Sequence, residues 1–140
     1  MINVGGGLGI DYDDPSKQAP FEEYFALLKE LVELQPGQTL HMEPGRSITG
    51  QCGSLISRVV FIKDSSSTQF AIIDAGMTDL IRPALYQAHH KIENLSSKGK
   101  MCKYDVVGPV CESSDTFARA IELIETKRGD LLAIDRKSVV

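Results

Sequence analysis

Residues 2–9 have the sequence INVGGGLG, in which a short apolar stretch runs directly into a glycine-rich loop. Consecutive glycines permit backbone angles that other residues avoid, as a tight loop at the end of a strand requires. Apolar residues then recur at helical spacing over residues 21–34, before a Pro-Gly pair that ends a helix. A second short strand, TLHM at residues 39–42, runs into EPGR at residues 43–46. Two strands joined by a helix form the βαβ unit of parallel-sheet proteins, and the sequence predicts such a unit here.

The second part of the chain has a different pattern, with short β-rich runs close to one another. Residues 55–63 and 70–75 flank a polar turn, which predicts an antiparallel hairpin. A short helix is predicted over residues 79–88, and apolar periodicity predicts another over residues 115–126. Further strands are predicted at residues 90–95, 104–110 and 131–134. We therefore expect an α/β segment followed by a mostly β segment.

The composition is that of an ordinary globular protein, with 140 residues, 42% of them hydrophobic and 24% charged. The net charge is −4 and the basic residues are scattered, which argues against binding to nucleic acid or to a membrane surface. No apolar run approaches the ~20 residues that span a bilayer, and no signal sequence is recognisable. The three cysteines form neither a disulfide framework nor a metal-binding motif. We expect a cytoplasmic protein without a bound metal ion.

The glycine loop and the EPGR segment each have two interpretations when taken alone. The loop does not fit the dinucleotide-binding pattern G-x-G-x-x-G, because Ile10 occupies the last glycine position. Its backbone amides suit a phosphate group, although glycines at a strand end also form simple turns. Glu43 and Arg46 place a carboxylate and a guanidinium near this loop, and arginine suits bidentate phosphate binding. The alternative is a surface turn with an exposed ion pair.

The order of four motifs decides between these interpretations. They are GGGLG at residues 5–9, EPGRS at 43–47, DAGMTDLIRPALY at 74–86 and VGPVCES at 107–113. In this order they closely resemble the C-terminal half of the diaminopimelate decarboxylases, and the resemblance covers residues 2–134. The first two motifs are shared with ornithine and arginine decarboxylases of the same superfamily. The last two are typical of the diaminopimelate branch.

The resemblance implies a fold and a division of the chain. Residues 1–50 would be the last two strands and a helix of a (β/α)8 barrel, and residues 51–134 most of a C-terminal antiparallel β-domain. The family's Schiff-base lysine comes early in the barrel, and a tyrosine-bearing aromatic block follows the last strand. Neither is matched here, so we expect a piece truncated at both ends that is inactive alone. One choice of codons for residues 135–140 matches the start of a common DNA-sequencing adapter, so this segment is expected to be read-through rather than natural sequence.

The resemblance also implies a cofactor, pyridoxal 5'-phosphate. The residues expected to bind it are Gly5, Gly6, Gly7, Glu43, Pro44, Gly45 and Arg46. The glycine loop and Arg46 would hold the phosphate. Glu43 would face the pyridine nitrogen and keep it protonated, so that the ring can accept electrons as CO₂ leaves.

The implied reaction is decarboxylation of meso-2,6-diaminopimelate to L-lysine. Residues matching Arg46, Arg82 and Tyr86 bind substrate groups, and the residue matching Glu112 recognises the amino group at the far stereocentre. The residue matching Cys111 donates a proton to the carbanion and reaches across the interface of a homodimer into the partner's site. Fixed charges suit this substrate because its far end carries both an ammonium and a carboxylate.

Other chemistry-bearing residues receive structural interpretations. His89 and His90 are expected to be solvated residues at a helix end, and His41 to pack or to form a hydrogen bond. Cys52 and Cys102 are expected to be buried small residues.

Two other functions remain open at this point. One is decarboxylation of ornithine, arginine or carboxynorspermidine. Arg82 distinguishes this alternative from the diaminopimelate reaction, because substrates of the ornithine and arginine type have no distal carboxylate. The other is a non-catalytic homologue that binds partners through its β-domain. The joint presence of Glu43, Cys111 and Glu112 argues against this second function.

Overall fold

A computed structural model of the protein describes residues 1–12, 14 and 16–135. The chain divides into two compact units, the first comprising Met1–Gly53 and the second beginning at Ser54. Within the described residues, no helix combines the length and the apolar character needed to cross a membrane.

The first unit contains the predicted βαβ arrangement. Strand β1 (Ile2–Asn3) pairs in parallel with strand β2 (Leu40–His41), and helix α1 (Phe21–Leu31) lies between them in sequence. The helix ends three residues before the predicted limit because Val32 has an extended backbone, with φ −108° and ψ 102°. The prediction of parallel strands joined by a helix is therefore confirmed.

The EPGR segment continues into a short helix that the sequence did not predict. Helix α2 (Gly45–Thr49) begins directly after Pro44, whose carbonyl accepts a hydrogen bond from the Ser47 hydroxyl at 3.1 Å. The amide of Gly50 donates to the carbonyl of Arg46 at 2.8 Å and closes the helix. A proline at the helix boundary needs no amide partner, which favours a helix start at this point.

The second unit is built on a six-stranded sheet with the order β5-β8-β3-β4-β6-β7. Its elements are β3 (Ser54–Asp64), β4 (Gln69–Ile73), α3 (Arg82–Tyr86), β5 (Ile92–Asn94), β6 (Met101–Val107), β7 (Thr116–Ile124) and β8 (Leu131–Asp135). Strands β3 and β4 form the predicted antiparallel hairpin. The long strand β3 also pairs with β8 through residues 54–58, so one strand joins the two halves of the sheet.

The predicted helix over residues 115–126 is wrong, because this segment forms strand β7 and pairs antiparallel with β6. Phe117, Ile121 and Ile124 stand at helical spacing, yet a bulge at Ala120 shifts the strand's register. Ala120 has a left-handed backbone, with φ 52°, and its amide donates to Asp105 Oδ1 at 2.7 Å. The bulge interrupts the alternation of apolar and polar residues that is typical of a strand, so the sequence pattern does not predict one. Pairing with β6 nevertheless makes this segment a strand.

The β-domain is also not wholly antiparallel, because β4 pairs with β6 in parallel. The chain between these strands contains α3 and β5, which gives it the length that a parallel connection needs. The predicted helix over residues 79–88 is shorter in the structure and ends where Gln87 adopts a left-handed backbone with φ 52°. The other three predicted strands correspond to β5, β6 and β8.

The hydrophobic core lies within the second unit, where strand residues pack together. Its buried members are Val59, Ala71, Ile73, Ala75, Leu80, Ile92, Tyr104, Val106, Phe117, Leu123, Leu132 and Ile134. Burial of this apolar surface provides the main stabilisation of the sheet.

Strand β8 extends one residue beyond its predicted end. Asp135, which we assigned to the read-through segment, pairs with Ser54 and accepts a hydrogen bond from its hydroxyl at 2.8 Å. The rest of that segment, residues 136–140, lies outside the described residues.

Candidate functional site

The ends of β1 and β2 bring the glycine loop and Glu43 side by side in the first unit. The amide of Val4 donates to the carbonyl of His41 at 3.0 Å, and the amide of Glu43 donates to the carbonyl of Gly5 at 2.7 Å. A Cβ atom on Gly6 would overlap the carbonyl oxygen of Glu43, so only glycine fits at this position. The two loops that were expected to share a cofactor are therefore in backbone contact.

Asn3 orients the carboxylate of Glu43, a role that our sequence analysis missed. Its Nδ2 donates to Glu43 Oε1 at 2.7 Å, while its Oδ1 accepts from the amide of Gly5 at 2.8 Å. One amide side chain thus binds both loops. The sequence signal was an asparagine two residues before the first glycine of the loop, because such a side chain both donates and accepts.

The glycine loop has the open backbone that an anion requires. Gly5 and Gly7 have left-handed backbones, with φ 71° and 94°, and within the described part of the chain no atom beyond the glycine and its two sequence neighbours lies within 4 Å of a Cβ placed on either residue. The hydroxyl of Tyr24, on α1, donates to the carbonyl of Gly6 at 3.1 Å and holds the loop from the other side. The loop is thus supported by α1 and has open space at its two left-handed glycines.

Pro44, Gly45 and Arg46 complete this part of the candidate site. A Cβ atom on Gly45 would meet nothing within 4 Å, so the backbone is open here too. Arg46 lies in α2, immediately after Gly45, and is half-buried. The first unit therefore contains all seven residues expected to bind the cofactor, and it brings Gly5 and Gly6 into direct contact with Glu43.

Arg82 and Tyr86 lie on helix α3 of the second unit. The Arg82 guanidinium carbon stands 5.9 Å from the centroid of the Tyr86 ring, within the range of a cation–π contact. Tyr86 is 68% exposed and Arg82 is half-buried. Residues 74–81, which we call the Arg82 loop, lead from β4 into this helix.

Cys111 and Glu112 lie on a second loop, residues 108–115, which we call the Cys111 loop. Both side chains are exposed. Glu112 Oε1 accepts from the Ser114 amide at 3.4 Å and from the Ser113 hydroxyl at 3.2 Å. The hydrogen bond from the Ser114 amide and, to a smaller extent, that from the Ser113 hydroxyl lower the pKa of the Glu112 carboxyl. Both favour the charged carboxylate at neutral pH.

Asp115 is a second residue that the sequence analysis missed. Its carboxylate accepts hydrogen bonds from the amide of Met77 at 2.6 Å and from the amide of Val110 at 2.9 Å. It therefore joins the Arg82 loop to the Cys111 loop. No sequence pattern distinguishes it from an ordinary turn aspartate, because its role depends on Met77, which is 38 residues away.

Three other sequence expectations can be compared with the structure. His41 forms the expected kind of hydrogen bond, with Thr39 Oγ1 at 3.1 Å. His90 is buried rather than solvated, and its Nδ1 lies 3.0 Å from the carbonyl oxygen of Asp135 on β8. Cys52 is exposed rather than buried, and Cys102 is half-buried. The described residues contain no group of three or more metal-ligating side chains.

Known proteins resemble this chain over nearly all of its length. Residues 12–137 match the family model described as pyridoxal-dependent decarboxylase, C-terminal sheet domain. A diaminopimelate decarboxylase from Bacteroides thetaiotaomicron is 59% identical over 135 residues, which are 95% of this chain and 35% of that protein. The chain spans about a third of the length of the curated relatives it matches.

Solved structures show the same similarity. A crystal structure from Aquifex aeolicus has a TM-score of 0.83 and 43% identity, with 97% of this chain and 34% of that chain covered. The Helicobacter pylori diaminopimelate decarboxylase complexed with L-lysine has a TM-score of 0.80 and 39% identity, with 97% of this chain and 33% of that chain covered. The family model covers most of the chain. The chain therefore belongs to the pyridoxal-dependent decarboxylase family and contains its C-terminal sheet domain.

Proposed function

We propose that this chain forms part of an enzyme that decarboxylates meso-2,6-diaminopimelate to L-lysine and CO₂ with pyridoxal 5'-phosphate as cofactor. The observation that carries the proposal is the Glu43 carboxylate, held by Asn3 beside a glycine loop whose backbone is open at Gly5 and Gly7. Arg82 and Glu112 carry the charges that match the carboxylate and the ammonium at the far end of the substrate. The relative from Bacteroides thetaiotaomicron, which is 59% identical, is named diaminopimelate decarboxylase.

We infer that residues 1–50 are the C-terminal portion of a (β/α)8 barrel and that residues 51–134 belong to the β-domain. Parallel β1 and β2 with α1 between them form a unit of the kind that such barrels repeat. Leu27 and Leu31 on α1 are 52% and 69% exposed, so the apolar face of this helix lacks the cover that neighbouring barrel elements would give.

The residues of the first unit fit pyridoxal 5'-phosphate. The loop of Gly5, Gly6 and Gly7, the Pro44-Gly45 turn and the Arg46 guanidinium would hold the phosphate, with open backbone at Gly5, Gly7 and Gly45. Glu43, oriented by Asn3, would bind the pyridine nitrogen and keep it protonated. When bound, the cofactor supplies a ring that accepts the electron pair left by the departing CO₂.

The second unit supplies residues for the substrate. Arg82 would bind the distal carboxylate and Glu112 the distal ammonium, while Tyr86, in contact with Arg82, would help to position that guanidinium. Arg46, in the first unit, is proposed to contact the substrate as well as the phosphate. Charged partners in a partly desolvated site discriminate strongly against substrates that lack a matching group.

Cys111 is proposed to return a proton to the carbon that loses CO₂. Its thiol is exposed on the Cys111 loop, where it can approach a group outside its own fold. We propose that it acts in the partner's site of a homodimer. Asp115 gives this exposed loop a fixed anchor.

Decarboxylation of ornithine or arginine is the alternative within the family. Arg82 distinguishes the diaminopimelate reaction from this alternative, because ornithine and arginine carry no distal carboxylate for its guanidinium to bind. A non-catalytic binding domain would not need Glu43 held by Asn3 beside an open glycine loop.

A domain exchange tests the proposed function. Residues 2–135 of this chain would replace the matching segment of the Bacteroides thetaiotaomicron relative, giving a protein that we call the chimera. We expect the chimera to release CO₂ from meso-diaminopimelate and to form L-lysine, and the 140-residue chain alone to release none. A folded chimera that binds the cofactor but decarboxylates only ornithine or arginine, or nothing, would contradict the proposal.

A further inference from the structure

The two residues that flank Cys111 both form hydrogen bonds with one buried aspartate. Asp115 is 2% exposed, and its Oδ2 accepts from the amide of Val110 at 2.9 Å. Its own amide donates to the carbonyl of Glu112 at 3.0 Å, and its carbonyl accepts from the amide of Gly108 at 2.9 Å. The backbone on either side of Cys111 therefore depends on Asp115.

The same carboxylate fixes the Cys111 loop to a neighbouring segment. Its Oδ1 accepts from the amide of Met77, in the Arg82 loop, at 2.6 Å. A second contact joins the same two loops, because the Ser114 hydroxyl donates to the Met77 sulfur at 3.7 Å. The Cys111 loop is thus held both to itself and to the segment packed against it.

The Cys111 side chain has no such anchor of its own. It is exposed, and none of the described residues forms a hydrogen bond with its thiol. A cysteine side chain has one torsion angle before its sulfur, so the backbone of the loop largely decides where the thiol lies. Control of that backbone by Asp115 is therefore control of the thiol.

Two glycines beside the carboxylate show how closely this junction is packed. A Cβ atom on Gly108 would overlap the carboxylate of Asp115, so only glycine fits there. A Cβ atom on Gly76 would stand 3.5 Å from Asp115 Oδ1, an ordinary van der Waals contact. Alanine is therefore compatible with the junction at Gly76 and incompatible at Gly108.

We propose that Asp115 is a positioning residue that holds the Cys111 thiol where it returns a proton to one face of the carbon that loses CO₂. The inference rests on the proposed function, in which this thiol acts in the partner's site. The hydrogen bonds of Asp115 described above lie within its own chain. The loop would therefore enter the partner's site with its shape already fixed.

The product of the reaction records where the thiol lies. The bond to CO₂ breaks, the electron pair it leaves then forms a C–H bond with the thiol proton, and the thiolate regains a proton from water. In D₂O the L-lysine formed from meso-diaminopimelate therefore carries one deuterium on its ε carbon, the former D centre. A fixed thiol labels one of the two hydrogen positions on that carbon, whereas water entering around a loosened loop labels both.

The first test compares two aspartates in the chimera. Asparagine at position 115 presents an acceptor to one backbone amide and a donor to the other, so the loop loses a hydrogen bond. Asp115→Asn should lower the ratio of the two ε-deuterated lysines, measured by NMR, by about tenfold or more. Asp130→Asn is the matched control, because Asp130 accepts the amide of Lys127 at 2.9 Å and also binds Asn94 and Ser97, outside both loops. It should lower stability and leave the isomer ratio unchanged.

Mixed dimers of the chimera show through which loop Asp115 acts. A Cys111→Ala subunit paired with a Glu43→Ala subunit has one complete site, with Glu43 from the first and Cys111 from the second. Asp115→Asn added to the second subunit should lower the isomer ratio of that site. Added to the first subunit, it disturbs only the Arg82 loop of that site and should leave the ratio unchanged.

Hydrogen exchange measured on the same proteins reports the junction without activity. Asp115→Asn should speed exchange at the amides of Met77 and Val110, whereas Asp130→Asn should speed it at Lys127. If Asp115→Asn does not fold, Gly108→Ala tests the same junction with the carboxylate retained, and Gly76→Ala serves as its control. Gly108→Ala should lower the isomer ratio and Gly76→Ala should not.

The outcomes separate this inference from the proposed function. A chimera without activity towards diaminopimelate, or mixed dimers without a working site, overturns the proposed function or its exchange of Cys111 between subunits, and the inference with it. An active chimera overturns the inference alone if it labels both positions equally. The same holds if Asp115→Asn and Gly108→Ala lose stability but keep the isomer ratio, or if the ratio falls only when the first subunit carries Asp115→Asn.

Discussion

Asn3 and Glu43, 40 residues apart in sequence, are joined by a 2.7 Å hydrogen bond at the ends of two parallel strands. The same asparagine accepts the amide of Gly5. The orientation of the carboxylate proposed to face the cofactor therefore depends on a residue of the neighbouring strand. This dependence can be tested by removing the asparagine.

Asn3→Ala in the chimera should weaken pyridoxal 5'-phosphate binding, because Glu43 loses its donor and the amide of Gly5 loses its acceptor. Two such hydrogen bonds contribute about 1–3 kcal/mol, which corresponds to roughly a fivefold to hundredfold rise in Kd. Absorbance titration with the cofactor measures the change. Gln51→Ala, which removes a bond to the carbonyl of Lys17, is the control and should leave Kd unchanged. Equal Kd values for all three proteins would separate Asn3 from cofactor binding.

Gly6→Ala should disrupt the contact between the two strand ends, because the added methyl overlaps the carbonyl oxygen of Glu43. Gly9→Ala is the matched control in the same loop, since a Cβ atom there meets nothing within 4 Å. We expect weaker cofactor binding for Gly6→Ala and near-normal binding for Gly9→Ala, measured by the same titration. The account of the loop fails if the two variants behave alike.

The sequence predicted elements whose cause is local and missed those that depend on distant partners. Helix α1 and the β3–β4 hairpin follow from apolar periodicity and a polar turn, which lie within short windows. Strand β7 has an apolar spacing compatible with a helix, and its pairing with β6 and the bulge at Ala120 are tertiary effects. A short window of sequence contains no information about that pairing.

The residues of the candidate site also fall into those that the sequence predicted and those that it missed. Motifs predicted the residues that carry charge or an open backbone, such as Glu43 and the glycine loop. Asn3 and Asp115 were missed because each acts by binding another segment's backbone or side chain, 38 or 40 residues away. Their roles become visible only when the strands bring those segments together.

Asp74 should make the stability of the sheet domain depend on pH. Hydrogen bonds from the Ser57 hydroxyl and then from the amide of Arg58 lower the pKa of this carboxyl in the folded state. The stabilisation is present above the pKa of the unfolded chain and is lost as the pH falls through the lower folded value.

Urea unfolding of the 140-residue chain between about pH 6 and pH 2 measures this dependence. Asp74→Asn should show a smaller loss of stability over the acidic range than the unmodified chain, and Ser57→Ala should lie between them. If the stability of Asp74→Asn falls with pH as steeply as that of the unmodified chain, the Asp74 carboxyl does not contribute to acid unfolding.

Cys111→Ala in the chimera should slow turnover by about 10²–10⁴-fold while leaving cofactor binding intact, because only the proton donor is removed. Steady-state rates and the cofactor titration measure the two effects separately. Cys52→Ala removes the other fully exposed thiol, which lies in the first unit, and should leave the rate unchanged. A normal rate in Cys111→Ala would exclude this thiol from the mechanism.

The most direct measurement of the central claim is the ratio of kcat/KM for meso-diaminopimelate to that for D-lysine in the chimera and in its Arg82→Ala variant. D-lysine keeps the D centre that loses CO₂ but has no distal carboxylate, so it should be at most a trace substrate of either enzyme. Loss of the guanidinium should cost about 2–5 kcal/mol of transition-state binding for diaminopimelate alone, so the ratio should fall by about thirtyfold or more. Arg128→Ala, in the exposed turn before β8, should leave the ratio unchanged. If Arg82→Ala lowers both activities together and the ratio stays constant, Arg82 does not bind the distal carboxylate, and the assignment of diaminopimelate as substrate loses its main support.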